Sequence, residues 1–361
     1  MSPPPHSPPQ RSQPPRIGQL PAGPHDAITD LAGVRVGHAT LAPAADPALQ
    51  TGVTVIHPHR QDPFLHKVPA GVAVINGFGK SVGLVQIEEL GQLETPIALT
   101  NTFSVPAIAQ AQIAQCCAAH PEVGRAWSTV NPLVLECNDG YLNDIQRMAL
   151  NASHYQAASA SASAQMAQGA VGAGRGMSSF QLKGGIGTAS RCVRLADGRP
   201  YTVGALVLAN FGLQAQLLWG GQPLGQQLAE QLPPPPQASA PAEKGSIIML
   251  LASDAPLDAR QLKRLAARAG AGLARTGSVY GHGSGDIALA FSTAYTLPHL
   301  PSQPMPAVRL VHEALLDPLF QAGADSVEQA IVHALWHAES VTGRDGHQRL
   351  CLRDALDAIK T

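Results

Sequence analysis

The chain has 361 residues and a formal net charge of −1, and only 14% of its residues are charged. A sequence this sparsely charged shows no electrostatic footprint for nucleic acid or anionic lipid, which excludes both kinds of partner. Aromatic residues make up 4% and apolar residues 45%, so the core must be built mainly from Ala, Val, Leu and Ile.

Residues 1–24 are rich in Pro, Gln and Ser, and we expect them to be disordered. Short, nearly continuously apolar runs follow, which are typical of strands covered on both faces. A helix is predicted from Val105 to Ala119. The predicted strands are VRVGHAT (34–40), TGVTVIHP (51–58), AGVAVING (70–77), PIALTNT (96–102), LVLECNDG (133–140) and TVGALVLANFG (202–212).

The glycine-rich run GGIGTASR (184–191) predicts a bend at which two backbone segments approach closely. A second Pro-rich stretch, residues 231–245, predicts a flexible tail. Strands and helices on its two sides are alike in character, so we expect the tail to be an excursion within one domain, residues 25–361.

Four elements are predicted after this tail. They are a strand over Ser246 to Ala252, a helix with Leu262, Leu265, Ala266, Ala269 and Leu273 on one face, a strand GDIALAFST (285–293), and a helix that begins at Ser326, with Gln329 completing a capping box, and ends at Gly343.

The five cysteines are odd in number and have no paired spacing, which indicates a reducing compartment. The N-terminal segment has no apolar core of a secretory signal, and no apolar run approaches the ~20 residues of a membrane helix. We therefore expect a cytoplasmic protein that contacts no membrane. The cysteines are Cys116, Cys117, Cys137, Cys192 and Cys351.

A Gly-Ser pair stands between the second tail and a dense apolar strand. Cleavage between Gly245 and Ser246 would make Ser246 an N-terminal residue, whose α-amine has an ordinary pKa of about 7.7–8.0. That amine could take the proton of the neighbouring hydroxyl and so act as general base. The same hydroxyl could perform the cleavage by attacking the Gly245 carbonyl. By itself, however, the pair favours the simpler interpretation of a strand that begins after a loop.

Further motifs accompany this junction, and Ser284 follows Ser246 by 38 residues. Together they closely resemble the DmpA/BapA family of self-processing serine aminopeptidases, which shares its fold with ornithine acetyltransferase. The motifs are DAITDLAGVRVGHAT (26–40), VINGFGKSVGLVQIEELGQLETPIALTNT (74–102), ECNDGYLNDI (136–145), GAGRGMSSFQLKGGIGTASR (172–191), VGALVLANFG (203–212), GSIIMLLASDAPL (245–257), GSGDIALAFSTA (283–294) and AESVTGRDG (338–346).

The resemblance implies an α/β protein with a four-layer αββα sandwich fold. It also implies an α chain of residues 1–245 and a β chain of residues 246–361, assembled into a homo-oligomer of such heterodimers. The implied reaction is cleavage of amide or ester bonds through an acyl-enzyme on Ser246. The substrate would be a short peptide or an amino-acid amide or ester with a free amine, and no metal or cofactor is implied.

Carried over residue by residue, the resemblance makes Ser246 the nucleophile, with Ser284 and Asp286 orienting its hydroxyl and amine. Asn210 would donate an N–H to the oxyanion. Tyr141 and Glu136 would line the substrate pocket, with Glu136 pairing with the ammonium group of the substrate. Whether Asp286 or the α-amine is the main proton acceptor is left open, as is the choice among L-α-, D-α- and β-amino acids.

Four of these residues also have a purely structural interpretation. Asn210 could be a turn residue at a strand end. Tyr141 could pack on the rim of a loop, Glu136 could be an ordinary strand-end carboxylate, and Asp286 could be a solvated loop acid.

Three other functions stay open. An amidohydrolase of nylon-like oligomers or pantetheine-type amides, or an acetyltransferase of the ornithine type, would favour Thr where this chain has Ser246. The third is an unprocessed, non-catalytic binding paralogue. His333 and His337 have the spacing of a zinc-binding helix, but Ala334 stands where the catalytic Glu of that motif belongs, so a metal site is not predicted there.

Overall fold

The structure is a computed structural model that describes residues 13–232 and 245–359, which form fifteen strands and eight α-helices. The helices are α1 (Leu84–Leu90), α2 (Val105–Ala119), α3 (Ala152–Ala160), α4 (Leu224–Gln231), α5 (Ala259–Ala267), α6 (Ala269–Arg275), α7 (Asp317–Trp336) and α8 (Leu352–Ala358). The strands are β1 (Arg35–Leu41), β2 (Thr51–His57), β3 (His66–Gly77), β4 (Gln92–Leu93), β5 (Ile97–Asn101), β6 (Leu133–Cys137), β7 (Ser178–Ser179), β8 (Leu182–Lys183), β9 (Gly185–Arg194), β10 (Pro200–Asn210), β11 (Ser246–Ser253), β12 (Gly285–Ser292), β13 (Leu297–Pro298), β14 (Val341–Thr342) and β15 (Gln348–Arg349).

Most of the strands belong to two sheets. A four-stranded sheet has the order β1-β2-β5-β6, and a seven-stranded sheet has the order β13-β3-β12-β11-β10-β9, with β4 paired to β3. Both sheets are mixed, because β5 runs parallel to β6 and β11 runs parallel to β12 while the neighbouring pairs are antiparallel. The chain is thus a mixed α/β protein.

The central strand β11 is buried on both faces. Its side chains alternate between two cores, as the two-residue repeat of a strand requires. Ile247 and Met249 pack in a cluster with residues of α5, α6 and α7. Ile248 and Leu250 pack in a second cluster with residues of the four-stranded sheet, including Leu135. Burial of each such side chain contributes about 1.5–3 kcal/mol to folding, which holds the strand in place.

Helices α2 and α3 contribute to a third cluster. Ile108 of α2 and Tyr155 of α3 pack there against Val53 and Val55 of β2 and Ala98 of β5. None of the helices within the described residues has the length and apolar character needed to cross a membrane.

The register aligns four neighbouring strands of the seven-stranded sheet at one edge. Asn210, the last residue of β10, is opposite Ser246, the first residue of β11. Ser246 is in turn opposite Gly285, the first residue of β12, and Gly285 is opposite Gly77, the last residue of β3. Two strands therefore end and two begin at the same place.

Most of the predicted elements are confirmed. The six apolar runs of the first half correspond to β1, β2, β3, β5, β6 and β10, and the helix predicted from Val105 to Ala119 has the bounds of α2. The strands predicted at Ser246 and over residues 285–293 are β11 and β12. The helix predicted between them is divided into α5 and α6, with Arg268 at the junction.

The predicted bounds of the last helix are wrong. Helix α7 begins at Asp317, with a proline in its first turn, and ends at Trp336. Ser326 lies inside it and donates its hydroxyl hydrogen bond to the Val203 carbonyl of β10. Gln329 accepts a hydrogen bond from the Ile17 backbone. The apparent capping box therefore consists of interior residues whose polar groups bond neighbouring segments.

The N-terminal segment differs in part from the expected disorder of residues 1–24. Residues 1–12 lie outside the described residues. Ile17 is buried, and its carbonyl accepts a hydrogen bond of 2.8 Å from Arg191. Gly23 donates one to the Ser190 hydroxyl. Of the predicted flexible tail 231–245, residues 233–244 likewise lie outside the described residues.

Residues 185–191 of the glycine-rich run belong to strand β9, so the bend predicted there is wrong, but the predicted close approach is confirmed. A Cβ on Gly187 would lie 1.9 Å from the Ala330 carbonyl oxygen and 2.6 Å from the Ala334 nitrogen, both in α7. Glycine is therefore needed at this point because α7 lies directly on the backbone of β9.

Replacing Gly187 with Ala is expected to lower the free energy of unfolding by about 1–3 kcal/mol, the usual cost of overpacking, because β9 and α7 would have to separate. Gly77→Ala is the matched control, since a Cβ at this strand position would meet only a Val74 methyl group at 3.5 Å. Thermal unfolding of both variants measures the difference. A Gly187→Ala protein as stable as the control would contradict the helix–strand contact.

Candidate active site

Ser246 lies where the four aligned strand ends meet. It is 5% exposed and begins a strand whose eight residues are all buried. Its Oγ accepts a long hydrogen bond of 3.4 Å from the backbone N–H of Gly285. The hydroxyl is thus held at the edge of the sheet, between the end of β10 and the start of β12.

Gly245 lies tightly against the end of β10. A Cβ at this position would lie 2.5 Å from the Phe211 Cα and 2.8 Å from the Asn210 carbonyl oxygen. Because both are backbone atoms, no side chain could be accommodated without moving the strand. The structure therefore provides a steric reason for glycine immediately before Ser246.

Asp286 and Ser284 form a buried hydrogen-bonded pair beside Ser246. The Ser284 hydroxyl donates to Asp286 Oδ1 at 2.5 Å, whereas Asp286 Oδ2 is buried and has no partner among the described residues. Asp286 is 1% exposed and lies within β12, so the interpretation as a solvated loop acid is wrong. Burial raises the pKa of Asp286 to about 6, and the bond from Ser284 partly opposes this shift.

Asn210 is held by hydrogen bonds at both ends of its amide. Its Oδ1 accepts from the Ser178 backbone N–H at 2.8 Å, and its Nδ2 donates to the Asn138 carbonyl at 3.0 Å. The donor to Oδ1 fixes which end of the amide is the N–H₂ group. The side chain is buried and directly opposite Ser246 in the register, so a role only in a turn does not describe it.

Glu136 lies near the end of β6 and is 3% exposed. One oxygen accepts from the Lys80 backbone N–H at 2.8 Å, and the other accepts from the Thr102 hydroxyl. A Cβ on Gly79 would lie 3.6 Å from Glu136 Oε1, and one on Gly285 would lie 3.3 Å from the Gly79 Cα. The segment 78–80 therefore lies between Glu136 and the backbone that donates to Ser246.

Cys137 shows that the two buried carboxylates share one region. Burial raises the pKa of its thiol well above the usual range, and the charges of Glu136 and Asp286 raise the pKa further. This thiol therefore stays protonated and unreactive.

Tyr141 lies between two side chains from the C-terminal part of the chain. Its ring stacks on His347, with ring centroids 4.6 Å apart, and the Arg349 guanidinium carbon lies 3.4 Å from the ring centroid. Arg349 also donates from Nε to the Ser178 hydroxyl at 3.2 Å. Since the Ser178 N–H binds Asn210, one chain of contacts joins Tyr141 to Asn210.

The structure thus brings Ser246, Ser284, Asp286 and Asn210 together and places Glu136 one short segment away. Tyr141 is connected to them through other side chains. Ser178, His347 and Arg349 were not found by sequence reasoning: Ser178 and His347 are a common hydroxyl and a lone histidine, and Arg349 follows the last motif without any distinctive spacing.

A cavity of about 400 Å³ opens beside Gly245 and Ser284. Its walls include apolar side chains and exposed backbone at several glycines. The cavity is lined by Phe211, Gly212, Leu213, Gln216, Gly245, Ser278, Val279, Gly281, His282, Gly283 and Ser284.

His333, the first histidine of the zinc-type spacing, has hydrogen-bonding partners within the protein at both ring nitrogens. His333 Nδ1 lies 2.7 Å from the Thr188 carbonyl oxygen, and its Nε2 lies 3.0 Å from Gln329 Nε2. Across residues 13–232 and 245–359, no three His, Cys, Asp or Glu side chains form a group that could hold a metal ion.

The family model described as Peptidase family S58 matches residues 26–349. The chain belongs to peptidase family S58. This S58 chain is 38% identical to the β-peptidyl aminopeptidase BapA of Sphingosinicella microcystinivorans, over 91% of its own length and 86% of that relative.

Two solved structures that are similar to this chain support its assignment to the family. A β-aminopeptidase of a Burkholderia species is 42% identical, with a TM-score of 0.86 and coverage of 96% of each chain. The L-aminopeptidase D-Ala-esterase/amidase of Ochrobactrum anthropi is 35% identical, with a TM-score of 0.85 and coverage of 95% of each chain. That enzyme is described as a prototype of the serine aminopeptidases and a variant of the Ntn hydrolase fold. This S58 chain is a hydrolase, a serine aminopeptidase.

The buried Asp286 makes the stability of this S58 chain depend on pH. Its pKa is about 6 in the folded protein against an ordinary value of 3.8, so between these pH values only the folded state keeps the proton. The free energy of unfolding therefore falls as the pH rises from about 4 to about 6, by about 3 kcal/mol from this group, and the loss is complete above that range.

Asp286→Asn removes this titration, so the variant should gain stability relative to the parent as the pH rises. Urea unfolding at intervals between pH 4 and 7.5 measures the difference. Both proteins carry Ser246→Ala, so that backbone cleavage cannot contribute. Asp139, whose pKa burial raises to about 7, is common to both and cancels. A stability difference that is constant across this range would contradict the assignment.

Proposed function

We propose that this serine aminopeptidase processes itself between Gly245 and Ser246 and then works as an N-terminal nucleophile hydrolase. The observation that carries the proposal is the alignment of Asn210, Ser246 and Gly285 across three neighbouring strands. The hydroxyl of Ser246, the side-chain amide of Asn210 and the backbone N–H of Gly285 thus belong to aligned residues. Gly245, which precedes Ser246, lies tightly against the backbone at the end of β10.

Self-processing begins with attack of the Ser246 hydroxyl oxygen on the Gly245 carbonyl carbon. The C–N bond breaks, the nitrogen takes a proton, and an ester joins Gly245 to Ser246 Oγ. Water then hydrolyses the ester and leaves a carboxylate on Gly245 and a free amine on Ser246. The steric confinement of Gly245 supports this step, because it keeps the carbonyl close to the strand end.

In turnover, the freed amine takes the Ser246 hydroxyl proton while Oγ attacks the substrate carbonyl. Asn210 Nδ2 donates to the oxyanion, exchanging its bond to the Asn138 carbonyl for one to the substrate. The leaving amine departs with the proton, and water hydrolyses the acyl-enzyme. Tyr141 lines the pocket, and its contacts with His347 and Arg349 support a fixed ring position.

Asp286 and Ser284 orient the hydroxyl and the amine of Ser246. Oδ2 of Asp286 supports this role, since it is a buried acceptor next to Gly285 and has no partner within the described part of the chain. The bond from Ser284 keeps the other oxygen in place. These contacts of Asp286 do not decide whether Asp286 or the α-amine of Ser246 is the main proton acceptor.

The substrate carries a free amine, which Glu136 binds as an ammonium group. A buried carboxylate with both oxygens held by hydrogen bonds is preorganised for a cation. The relatives named for β-peptides support N-terminal β-amino acids among the substrates, as short peptides, amides or esters.

The layers, domain and assembly complete the proposal. The three clusters support a four-layer αββα sandwich that forms one domain, residues 25–361, with α2 and α3 outside one sheet and α5, α6 and α7 outside the other. The mature protein is an oligomer of heterodimers of residues 1–245 and 246–361. The five cysteines, none in a disulfide within the described residues, support a cytoplasmic location.

Intact mass spectrometry tests the cleavage. The purified parent should give two chains of 245 and 116 residues, and Ser246→Ala one chain of 361, because the variant lacks the attacking oxygen. A parent protein that stays whole would refute self-processing. A cleaved Ser246→Ala protein would show that another group performs the cut.

Glu136→Gln tests the binding of the ammonium group. For a β-amino-acid p-nitroanilide, the variant should lose about tenfold or more in kcat/KM, since a charge-assisted contact contributes about 1.5–3 kcal/mol. Self-cleavage, which involves no ammonium group, should proceed as in the parent and serves as the internal control. Equal kcat/KM values for parent and variant would contradict the role of Glu136.

A further inference from the structure

A second cavity lies at the opposite end of strand β5 from the active site. It has a volume of about 300 Å³ and lies where α2, α3 and the four-stranded sheet meet. Thr95 and Pro96, which line it, precede β5, whereas Asn101 ends the strand next to Cys137 of β6. At about 3.3 Å per residue, the two ends are roughly 15 Å apart, so this α2–α3 cavity is separate from Ser246.

The oxygens of both carboxylates that line the α2–α3 cavity already have partners within the protein. Asp62 accepts from His120 at 2.8 Å and from two backbone N–H groups. Glu94 pairs with Lys67 at 2.8 Å and accepts from both nitrogens of Asn131. Neither acid is left to bind a cation.

The arginines of the same cavity are not neutralised. Arg35 and Arg60 both line it, and neither forms an ion pair with any residue in the described ranges. The Nε of Arg35 is buried and has no hydrogen-bond acceptor among the residues that the structure describes. His57, beside Arg35, is neutral at physiological pH because burial and then the Arg35 charge lower its pKa to about 4. The charge left over in the cavity is therefore positive.

Thr95 gives independent evidence of a missing partner. It lines the cavity and is 3% exposed, and its hydroxyl is buried with no partner in the part of the chain that the structure describes. A buried hydroxyl without a partner costs about 1–3 kcal/mol, so this position calls for a polar atom from outside. Phe64, Pro96 and Tyr155 provide apolar wall around the same space.

We propose that the α2–α3 cavity binds a small organic carboxylate that has an apolar tail and no ammonium group. The carboxylate lies at Arg35 and Arg60, the Thr95 hydroxyl donates to it, and the tail contacts the apolar wall. Because the carboxylates of Asp62 and Glu94 already have partners, they are not available to bind the ammonium group of a zwitterionic amino acid. The inference does not depend on the cleavage at Gly245.

The test measures binding of 3-methylbutanoate by titration calorimetry to the purified protein, with valine, 3-methylbutylamine and inorganic phosphate as comparison probes. We expect saturable binding of 3-methylbutanoate, at least tenfold weaker binding of valine, and none of the amine. Phosphate binding tighter than that of 3-methylbutanoate would overturn the carboxylate assignment in favour of an inorganic anion.

Variants locate the binding. Arg35→Gln should weaken 3-methylbutanoate binding at least tenfold, and Thr95→Val at least threefold. Arg60→Gln, at an exposed position that tolerates change, should weaken it as well. Arg309→Gln, which removes an exposed arginine that does not line the cavity, is the matched control and should leave binding unchanged. All four variants should retain p-nitroanilide hydrolysis.

Two results would overturn the proposal. One is the absence of saturable binding to the parent, which would make the cavity a site for water alone. The other is binding that survives in Arg35→Gln and Arg60→Gln but is competed by substrate, which would place the carboxylate at Ser246 as a reaction product.

Discussion

The register of three strands is the constraint on which the rest of the structure depends. Ser246 can stand opposite both Asn210 and Gly285 only if β10, β11 and β12 keep their pairing, and a slip of one residue would turn Ser246 to the other face of the sheet. The alternation of β11 between two cores prevents such a slip, because it would exchange the two sets of buried side chains. The packing of the interior thereby sets the geometry of the reacting groups.

The polar groups of the site are buried by the same packing. Asp286 and Glu136 lie in a region of low polarity, where hydrogen bonds and charges act more strongly than in water. The cost appears as the raised pKa of Asp286 and as its second carboxylate oxygen, which none of the described residues contacts through a hydrogen bond. A site of this kind gives up stability in exchange for fixed donors and acceptors around one hydroxyl.

Much of this arrangement could be predicted from the sequence, and the reason lies in its local patterns. Apolar runs gave the strands, and the motifs around Ser246 gave the family. Contacts between distant segments carry no such signal. Ser326 and Gln329 have the spacing of a helix start, yet their partners are Val203 and Ile17, more than a hundred residues away. The stacking of Arg349 on Tyr141 and the close contact of the Ala330 carbonyl with Gly187 depend on tertiary packing in the same way.

The order of strands around β11 has a consequence for a chain that is cut before Ser246. Both strands in the middle of the seven-stranded sheet, β11 and β12, then belong to the shorter piece, and they are flanked by β10 and β3 of the longer one. Because β13 of the shorter piece also pairs with β3, pulling the pieces apart would tear three hydrogen-bonded ladders at once and expose both interior faces. Cleavage of the backbone before Ser246 would therefore leave the two pieces firmly attached to each other. Exchange of a piece between two molecules would require unfolding.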